Sequence, residues 1–413
     1  MFNFMTSGRV VFGEGALANS LSLIRQHGYS VLLVTGKGIQ RSSIVLDYLN
    51  KQKLRYQHIS VGNEPNITMV EEAAVLGRKF NPEVVVAFGG GSVIDMGKAL
   101  AAIIPNQGNV YDYVETVGRN VPLKTRPIPV IAIPTTASTG SEVTKNAVLR
   151  SGQDKIKVSL RDPGMLPVAA IIDPTLTYGT STAISARGAL DTFTHLMEAY
   201  VCNDPNPFSD MLCEEGFRRL SRSVVNACLY DEHAAREDLS FAAMLGGMAQ
   251  TNAKLGGIHG LASALGGELK APHGVITARL APYVMRENIL NAEANQEEVI
   301  LGRYQTMAHI LTGRQNANLH DAVLWVESIL SRLDIPELGE FGVCATTFDV
   351  VAESALKSVD IRGNASTLDQ QRLVNILQSV CECDGRCINQ DNTVDDYLLV
   401  ELVHDSSAET SNI

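Results

Sequence analysis

Apolar and polar positions follow two different patterns along the chain, and the change falls near its middle. In the first half, short apolar or alternating runs are separated by segments with helical periodicity, such as residues 43–52 and 68–80. Two of the runs are almost continuously apolar, as expected of strands covered on both faces of a sheet. The pattern predicts βαβ units and a parallel sheet. The first predicted strands lie at residues 9–13, 29–35, 55–60 and 83–91.

From about Thr182 the pattern changes to long segments with helical spacing, and none of them alternates as a strand does. The predicted helices lie at residues 182–202, 209–229, 234–253, 258–266, 274–291, 295–312, 317–333 and 347–357. A chain of 413 residues is long enough for two domains. We therefore predict an α/β domain over residues 1–181, an all-helical domain over residues 182–382 and an acidic extension over residues 383–413.

Composition and charge narrow the classes of partner. The net charge is −11 and the pI is about 5.3, which argues against nucleic acid or an anionic membrane, because phosphate groups require a basic footprint. No apolar run is long enough for a membrane span and no secretory segment follows Met1, so a cytoplasmic protein is expected. The spacing of the seven cysteines does not indicate a disulfide framework. Cys381, Cys383 and Cys387 are expected to be free thiols, with a metal site or a disulfide as the alternatives.

Four side chains in the second half have the chemistry of a metal site. Asp191 and His195 are four residues apart, so a helix places them on one face. His259 and His273 follow in a glycine-rich stretch, the second within a Pro-His-Gly turn. Three imidazoles and one carboxylate suit Fe(II), Zn(II) or another late first-row ion better than Mg²⁺ or Ca²⁺. The alternative is that these histidines are ordinary core-edge residues.

A glycine run after the fourth predicted strand suggests a nucleotide site. Gly89, Gly90 and Gly91 allow a pyrophosphate to approach the backbone, where the start of the next helix supplies N–H groups and a favourable dipole. Ser92 is predicted to add a hydroxyl and an N-cap. A tight turn without a ligand would have the same sequence, since the run is not the GxGxxG fingerprint.

A third stretch places hydroxyl groups at the end of an apolar strand. IPVIAIP is followed by Thr135, Thr136, Ser138, Thr139 and Ser141. Open α/β sheets bind their ligands at the carboxyl ends of strands, so these hydroxyls are candidates for cofactor contact. The alternative is a Ser/Thr-rich turn whose hydroxyls bond to the local backbone.

Taken together, GGGSVIDMGKA, PTTASTGSEVT, the Asp191/His195 helix and the His259…PHG pair resemble the iron-containing (group III) alcohol dehydrogenases over roughly residues 5–380. The resemblance implies a Rossmann-like domain, a helical metal-binding domain of the dehydroquinate synthase-like architecture, and reversible hydride transfer between NAD or NADP and an alcohol or aldehyde. Homodimers or larger homo-oligomers are expected. The implied residues are Asp191, His195, His259 and His273 for the metal, Gly89, Gly90, Gly91, Ser92, Asp95, Thr135, Thr136, Thr139 and Lys157 for the cofactor, and Asn146 for the substrate.

Three departures from the family pattern concern specificity. Ser263 stands where many members have a second histidine, and a hydroxyl cannot act as a general base near neutral pH. Gln250 replaces a bulky apolar residue, which suggests a polar substrate. The second strand ends in Gly36, where members that prefer NAD often have Asp, and Lys37 follows. Loss of that carboxylate removes a repulsion against a 2′-phosphate, so we expect NADP to be accepted at least as well as NAD.

Two other functions remain alternatives at this point. Glycerol dehydrogenases and dehydroquinate synthases share the architecture, although a synthase would be expected to have fewer histidine ligands and a more basic phosphate pocket. A catalytically weak scaffold that binds metal and nucleotide is also compatible with the Ser263 replacement.

Overall fold

The first half of the chain forms two β-sheets. The computed structural model describes residues 1–343 and 348–381. The strands are β1 (Val10–Phe12), β2 (Ser30–Gly36), β3 (Arg55–Val61), β4 (Val84–Gly89), β5 (Val130–Pro134), β6 (Asn146–Ser151), β7 (Ile156–Arg161) and β8 (Ala169–Ile172). Six of them make a parallel sheet in the order β1-β8-β5-β4-β2-β3, and β6 and β7 form an antiparallel hairpin. The predicted parallel sheet is confirmed.

The helices of this half cover both faces of the parallel sheet. They are α1 (Ala16–Ser20), α2 (Ser22–His27), α3 (Ser43–Lys51), α4 (Ile67–Phe80) and α5 (Gly91–Ile103). Alternate residues of β2 point to opposite faces: Leu32 and Val34 belong to one apolar cluster with α4 and α5, while Val31 and Leu33 belong to another with α1 to α3. Burial on both faces explains why this strand is continuously apolar.

The second half is helical, as predicted. Its helices are α6 (Thr182–Val201), α7 (Pro207–Tyr230), α8 (His233–Asn252), α9 (Gly257–Glu268), α10 (His273–Asn295), α11 (Glu298–Thr312), α12 (Asp321–Arg332), α13 (Phe348–Lys357) and α14 (Gln370–Val380). Helix α6 is buried almost throughout from Ser185 onward and packs against α7, α8 and α10. It is therefore the central helix of this half, and polar side chains on it need internal partners.

Several local predictions were wrong or incomplete. Ser92 is not an N-cap, because α5 begins one residue earlier and Gly90 occupies that position. The strand β6 and helix α14 were not predicted. The first follows the hydroxyl run, which ends at Ser141, and alternates buried with half-buried residues. The second has a regular apolar face at Leu373, Val374, Ile376 and Leu377. Cys383, Cys387 and the acidic extension lie outside the described residues.

The domain boundaries at residues 181 and 382 stay predictions. In the described part of the chain, none of the helices combines the length and the apolar composition that a bilayer crossing requires.

Candidate metal centre and cofactor cleft

Three helices bring the four predicted metal ligands to one place. Asp191 and His195 lie one turn apart on the central helix α6, and both are buried. His259 lies in the first turn of α9, and His273 is the first residue of α10, with Pro272 as its N-cap. A helix that begins at His273 gives its imidazole a fixed position beside α6, which the predicted turn alone would not.

The ligand atoms of Asp191, His195 and His259 all lie within 4.8 Å of one another. The two Nε2 atoms of His195 and His259 are 3.0 Å apart. His273 lies slightly further out, with its Nε2 atom 3.8 Å from Oδ1 of Asp191 and its ring centroid 5.7 Å from that of His259. The structure thus places three of the predicted ligands in a tight group, with the fourth, the imidazole of His273, beside it.

This arrangement fits a divalent transition ion. Two ring nitrogens 3.0 Å apart must share either a proton or a cation between them. Nitrogens that each bind one ion at about 2.1 Å, at right angles to each other, would be separated by roughly that distance. The donor set of three imidazoles and one carboxylate also suits Fe(II) or Zn(II).

Neighbouring side chains hold the ligands in position. Glu198, on the same helix as Asp191, accepts hydrogen bonds from Nδ1 of His259 and from the backbone N–H of Ile258, both at 2.6 Å. Ser138 and Thr277 donate hydroxyl hydrogen bonds to the two oxygens of Asp191, at 3.1 and 3.2 Å. Contacts of this kind fix the tautomer and orientation of metal ligands.

Glu198 was not among the residues predicted from the sequence. It lies seven residues after Asp191, so helical periodicity put it on the same face, and that spacing was the available signal.

The electrostatics favour neutral imidazoles at two of the three histidines. Burial lowers the pKa of His195 to about 4, and desolvation together with the charge of Lys157 lowers the pKa of His273 to about 3. Burial would also lower the pKa of His259, but Glu198 reverses the direction and raises it. Burial would raise the pKa of Asp191, yet the three histidines lower it. The site therefore offers an ionised carboxylate and imidazoles suited to a cation.

The four side chains face a large cleft of about 1160 Å³ between the two halves of the chain. Its opposite wall is formed by the start of α5 and the loop after β5. A Cβ atom on Gly90 would come within 3.1 Å of the Thr136 hydroxyl, and one on Gly91 within 3.0 Å of the Thr139 hydroxyl. The glycines therefore let the two loops approach closely, which leaves the first N–H groups of α5 at the cleft surface.

Most of the predicted cofactor and substrate residues line this cleft, and three do not. Gly89 ends β4 against Val93, and Thr135 is buried with its N–H donating to the carbonyl of Gly89. Gly36 ends β2 next to the lining residue Lys37, and a Cβ atom there would meet no atom within 4 Å. The predicted residues that line it are Lys37, Gly90, Gly91, Ser92, Asp95, Thr136, Thr139, Asn146, Lys157, Gln250 and Ser263.

Two of these lining residues, Gln250 and Lys157, connect different parts of the chain. Nε2 of Gln250 donates to the carbonyl of Thr139 at 2.8 Å, so its amide ties α8 to the hydroxyl loop while it faces the cleft. Lys157 forms an ion pair with Glu64, with Nζ 2.6 Å from Oε2. Glu64 also accepts from the backbone N–H of His273 at 3.4 Å, so it joins the two halves of the chain across the cleft. No pattern in the sequence predicts this contact, because it arises only in the tertiary structure.

Comparisons with known proteins agree with this geometry. The family model "Iron-containing alcohol dehydrogenase" matches residues 7–174, and "Fe-containing alcohol dehydrogenase family, C-terminal" matches residues 185–381. The chain is 32% identical over 380 residues to alcohol dehydrogenase 4 of Saccharomyces cerevisiae, covering 90% of this chain and 96% of the relative. It is 31% identical over 395 residues to 1,3-propanediol dehydrogenase of Klebsiella pneumoniae, covering 92% and 98%. A crystal structure of a 1,3-propanediol oxidoreductase has a TM-score of 0.84 at 29% identity, covering 92% of this chain and 100% of that one.

Proposed function

This chain belongs to the iron-containing alcohol dehydrogenase family, and from that membership we propose that it interconverts a small polar alcohol and its aldehyde with NADP(H) or NAD(H). The observation that carries the proposal is the meeting of two sites in one cleft. Asp191, His195 and His259 form a metal-binding group on one wall, and the glycine and threonine loops at the start of α5 form the other.

We assign the metal to Asp191, His195, His259 and His273, with Fe(II) as the first choice and Zn(II) as the second. Such an ion supplies Lewis acidity, which lowers the pKa of an alcohol oxygen or polarises an aldehyde carbonyl. The side chains favour a dication electrostatically, because Asp191 is ionised and the lowered pKa values of His195 and His273 keep those two imidazoles neutral.

We assign the cofactor to the opposite wall. Gly90, Gly91 and Ser92 line the cleft at the start of a thirteen-residue helix, where hydrogen bonds from the first N–H groups and the helix dipole would stabilise a pyrophosphate. The nicotinamide itself carries the hydride, so the protein has to set its distance and exclude water. Lys157, between this wall and His273, supplies a cation for the ribose side of the cofactor.

Asn146, Gln250 and Ser263 are the proposed substrate-side residues. All three line the cleft, and each presents a hydrogen-bonding group to it. A pocket with polar groups of this kind disfavours a purely aliphatic substrate, because the groups would lose their hydrogen bonds to water without replacement.

The activity test uses protein from which metal has been removed. Reloading with Fe(II) or Zn(II) is expected to restore NADPH or NADH oxidation with short aldehydes, and the untreated apoprotein is expected to be inactive. A protein that binds metal and nucleotide but oxidises neither cofactor with any aldehyde would be the catalytically weak scaffold. Faster oxidation of glycerol than of every other alcohol tested would favour a glycerol dehydrogenase.

We further propose that NADP(H) is used at least as well as NAD(H). The second strand ends in Gly36 without a carboxylate, and Lys37 lines the cleft with its side chain lying over Gly62. Gly36→Asp is expected to reduce kcat/KM for NADPH far more than for NADH, because it places a negative charge near the 2′-phosphate. Equal effects on the two cofactors, or a parent enzyme that ignores NADPH, would contradict this proposal. A homodimer and a cytoplasmic location stay predictions from the sequence.

A further inference from the structure

The charge of the cleft is opposite to that of the whole protein. The chain carries a net charge of −11, yet the described residues that line the cleft include eight Lys or Arg side chains and only four Asp or Glu side chains. Positive charge gathered in a cleft raises the local concentration of anions. A nicotinamide cofactor is itself an anion, so the positions of the cations along the cleft decide whether they serve the cofactor alone.

Some of the cations lie at the cofactor end. Lys157 pairs with Glu64, and its charge contributes, after desolvation, to the lowered pKa of His273. In the β6–β7 hairpin, Lys157 lies opposite Arg150. These cations are therefore on the side of the metal group that His273 occupies.

Arg161 and Arg362 lie at the other end. Arg161 is opposite Asn146, four residues along β7 from Lys157, which is about 13 Å of extended strand. Nη2 of Arg161 is 4.0 Å from Oδ1 of Asp360. Ile361, the residue after Asp360, packs against Gly260, the residue after His259: a Cβ atom on Gly260 would come within 3.0 Å of the Ile361 side chain. The metal group thus separates this end of the cleft from Lys157.

Cations at this end are only partly neutralised. Nε of Arg161 donates to Glu115 at 3.0 Å, but the separation from Asp360 is longer than a hydrogen bond, so N–H groups of the guanidinium remain for a ligand. Arg362 is exposed at the cleft surface and forms no ion pair with any described residue. Burial and the charge of Arg161 both lower the pKa of Lys145, so a third cation is nearby.

We propose that the substrate is a short alcohol with a carboxylate at its far end, a hydroxy acid whose carboxylate is met by Arg161 and Arg362. A guanidinium pairs with a carboxylate through two parallel hydrogen bonds, which a neutral diol cannot form. The inference rests on the proposed function. The alcohol carbon transfers a hydride to NAD(P)⁺ and the hydroxyl releases a proton, giving the aldehyde acid and NAD(P)H, while the carboxylate stays unchanged.

The first experiment compares matched alcohols with the metal-loaded full-length enzyme. The four-carbon set is 4-hydroxybutanoate, butane-1,4-diol and butan-1-ol, and the three-carbon set is 3-hydroxypropanoate, propane-1,3-diol and propan-1-ol. In at least one set, kcat/KM for the hydroxy acid is expected to exceed that for the diol by about tenfold or more, mainly through KM, as a charge-assisted hydrogen bond would give. A diol that is used as well as its hydroxy acid in both sets would overturn the inference and leave the dehydrogenase function intact.

The second experiment changes the two arginines. Arg362→Gln and Arg161→Gln are each expected to lower the ratio of kcat/KM for hydroxy acid over diol by about tenfold. Arg362 is exposed, so that variant should fold even if loss of the Glu115 contact destabilises the other. Arg332→Gln, on the exposed side of α12, is the matched control and should leave the ratio unchanged. An unchanged ratio in Arg362→Gln and Arg161→Gln would refute the assignment. Absence of turnover with every alcohol would overturn the proposed function, and this inference with it.

Discussion

The two walls of the cleft are both supported by buried charged side chains, but in different ways. On the metal wall, formed by Asp191, His195, His259 and His273, the buried Glu198 bonds directly to a ligand imidazole. On the cofactor wall, formed by the start of α5 and the loop after β5, the fully buried Lys98 bonds to the Ser141 carbonyl at 2.9 Å and the Thr144 hydroxyl at 2.8 Å. The first network orients a functional side chain, whereas the second fixes a backbone loop.

The two networks also differ in how their charge is balanced. The Glu198 carboxylate faces the imidazole of His259, so the pair has no net charge when His259 is protonated. Lys98 lies 3.3 Å from Asp95 and within the influence of a second carboxylate, Glu142, which is fully enclosed. Burial raises the pKa of Glu142 to about 7 despite the nearby cation. The cofactor wall is therefore the one in which burial of charge opposes stability at neutral pH.

The largest expected effect is on the metal wall. His259→Ala removes a ligand nitrogen and the partner of Glu198 together, so metal content and turnover should fall by orders of magnitude. Cofactor binding should persist, because the cofactor wall does not include His259. Metal analysis, NADPH fluorescence titration and thermal unfolding measure the three properties. His320→Ala, at an exposed site on the helical half, is the control. Full activity in metal-depleted His259→Ala protein would refute the metal assignment.

The second effect is on the cofactor wall and depends on pH. The pKa of Glu142 is about 7 in the folded protein and 4.5 when unperturbed. Below pH 4.5 both states hold the proton and the group has no effect on stability. As pH rises towards 7 the unfolded state releases a proton that the folded state keeps, so stability falls, by roughly 3 kcal/mol in all above pH 7. Glu142→Gln should therefore raise the unfolding free energy at pH 8 by about this amount and change it little at pH 5.

Thermal or denaturant unfolding of the two proteins at both pH values measures this difference. Glu72→Gln, at an exposed position on α4, provides the control and should show no such pH dependence. A Glu142→Gln protein less stable than the parent at pH 8 would mean that the attraction to Lys98 outweighs the cost of burial.

The sequence predicted the two walls unequally well. Asp191 and His195 were found because one helix face carries both, and the glycine run because it follows a strand. Glu198 has the same periodic signal but no motif of its own. Glu64 could not be found, because its contact with Lys157 arises only when the β3–α4 loop meets the hairpin. Thr135 does not line the cleft, because this first residue of the hydroxyl run directly follows β5, is buried, and its N–H still bonds to the carbonyl of Gly89 on the neighbouring strand.

The third prediction tests the support of the metal wall. Glu198→Gln keeps the shape of the side chain and one acceptor oxygen, but it removes the charge that faces Nδ1 of His259. Metal affinity should fall by about ten- to hundredfold, as for other partners of metal ligands. Chelator competition measures the affinity, and KM for NADPH should stay unchanged. Glu237→Gln, exposed on α8, is the control. An unchanged metal affinity would show that Glu198 acts on folding alone.

The smallest expected effect concerns Ser263, which is on the same helix as the ligand His259. It is one helical turn after His259 and lines the cleft, half-buried. A serine hydroxyl has no pKa near neutrality, so it can pass a proton along a hydrogen bond but cannot hold one as a general base does. Ser263→Ala should therefore lower kcat by less than about tenfold, because a serine hydroxyl does not supply the larger rate acceleration of a general base.

Ser263→His should introduce a new pH dependence of kcat near the pKa of an imidazole. Ser331→Ala, at an exposed position in the last turn of α12, is the control for both variants. A loss of a thousandfold or more in kcat of Ser263→Ala would mean that the hydroxyl itself carries the proton in the rate-limiting step, so that proton release in this enzyme depends on Ser263.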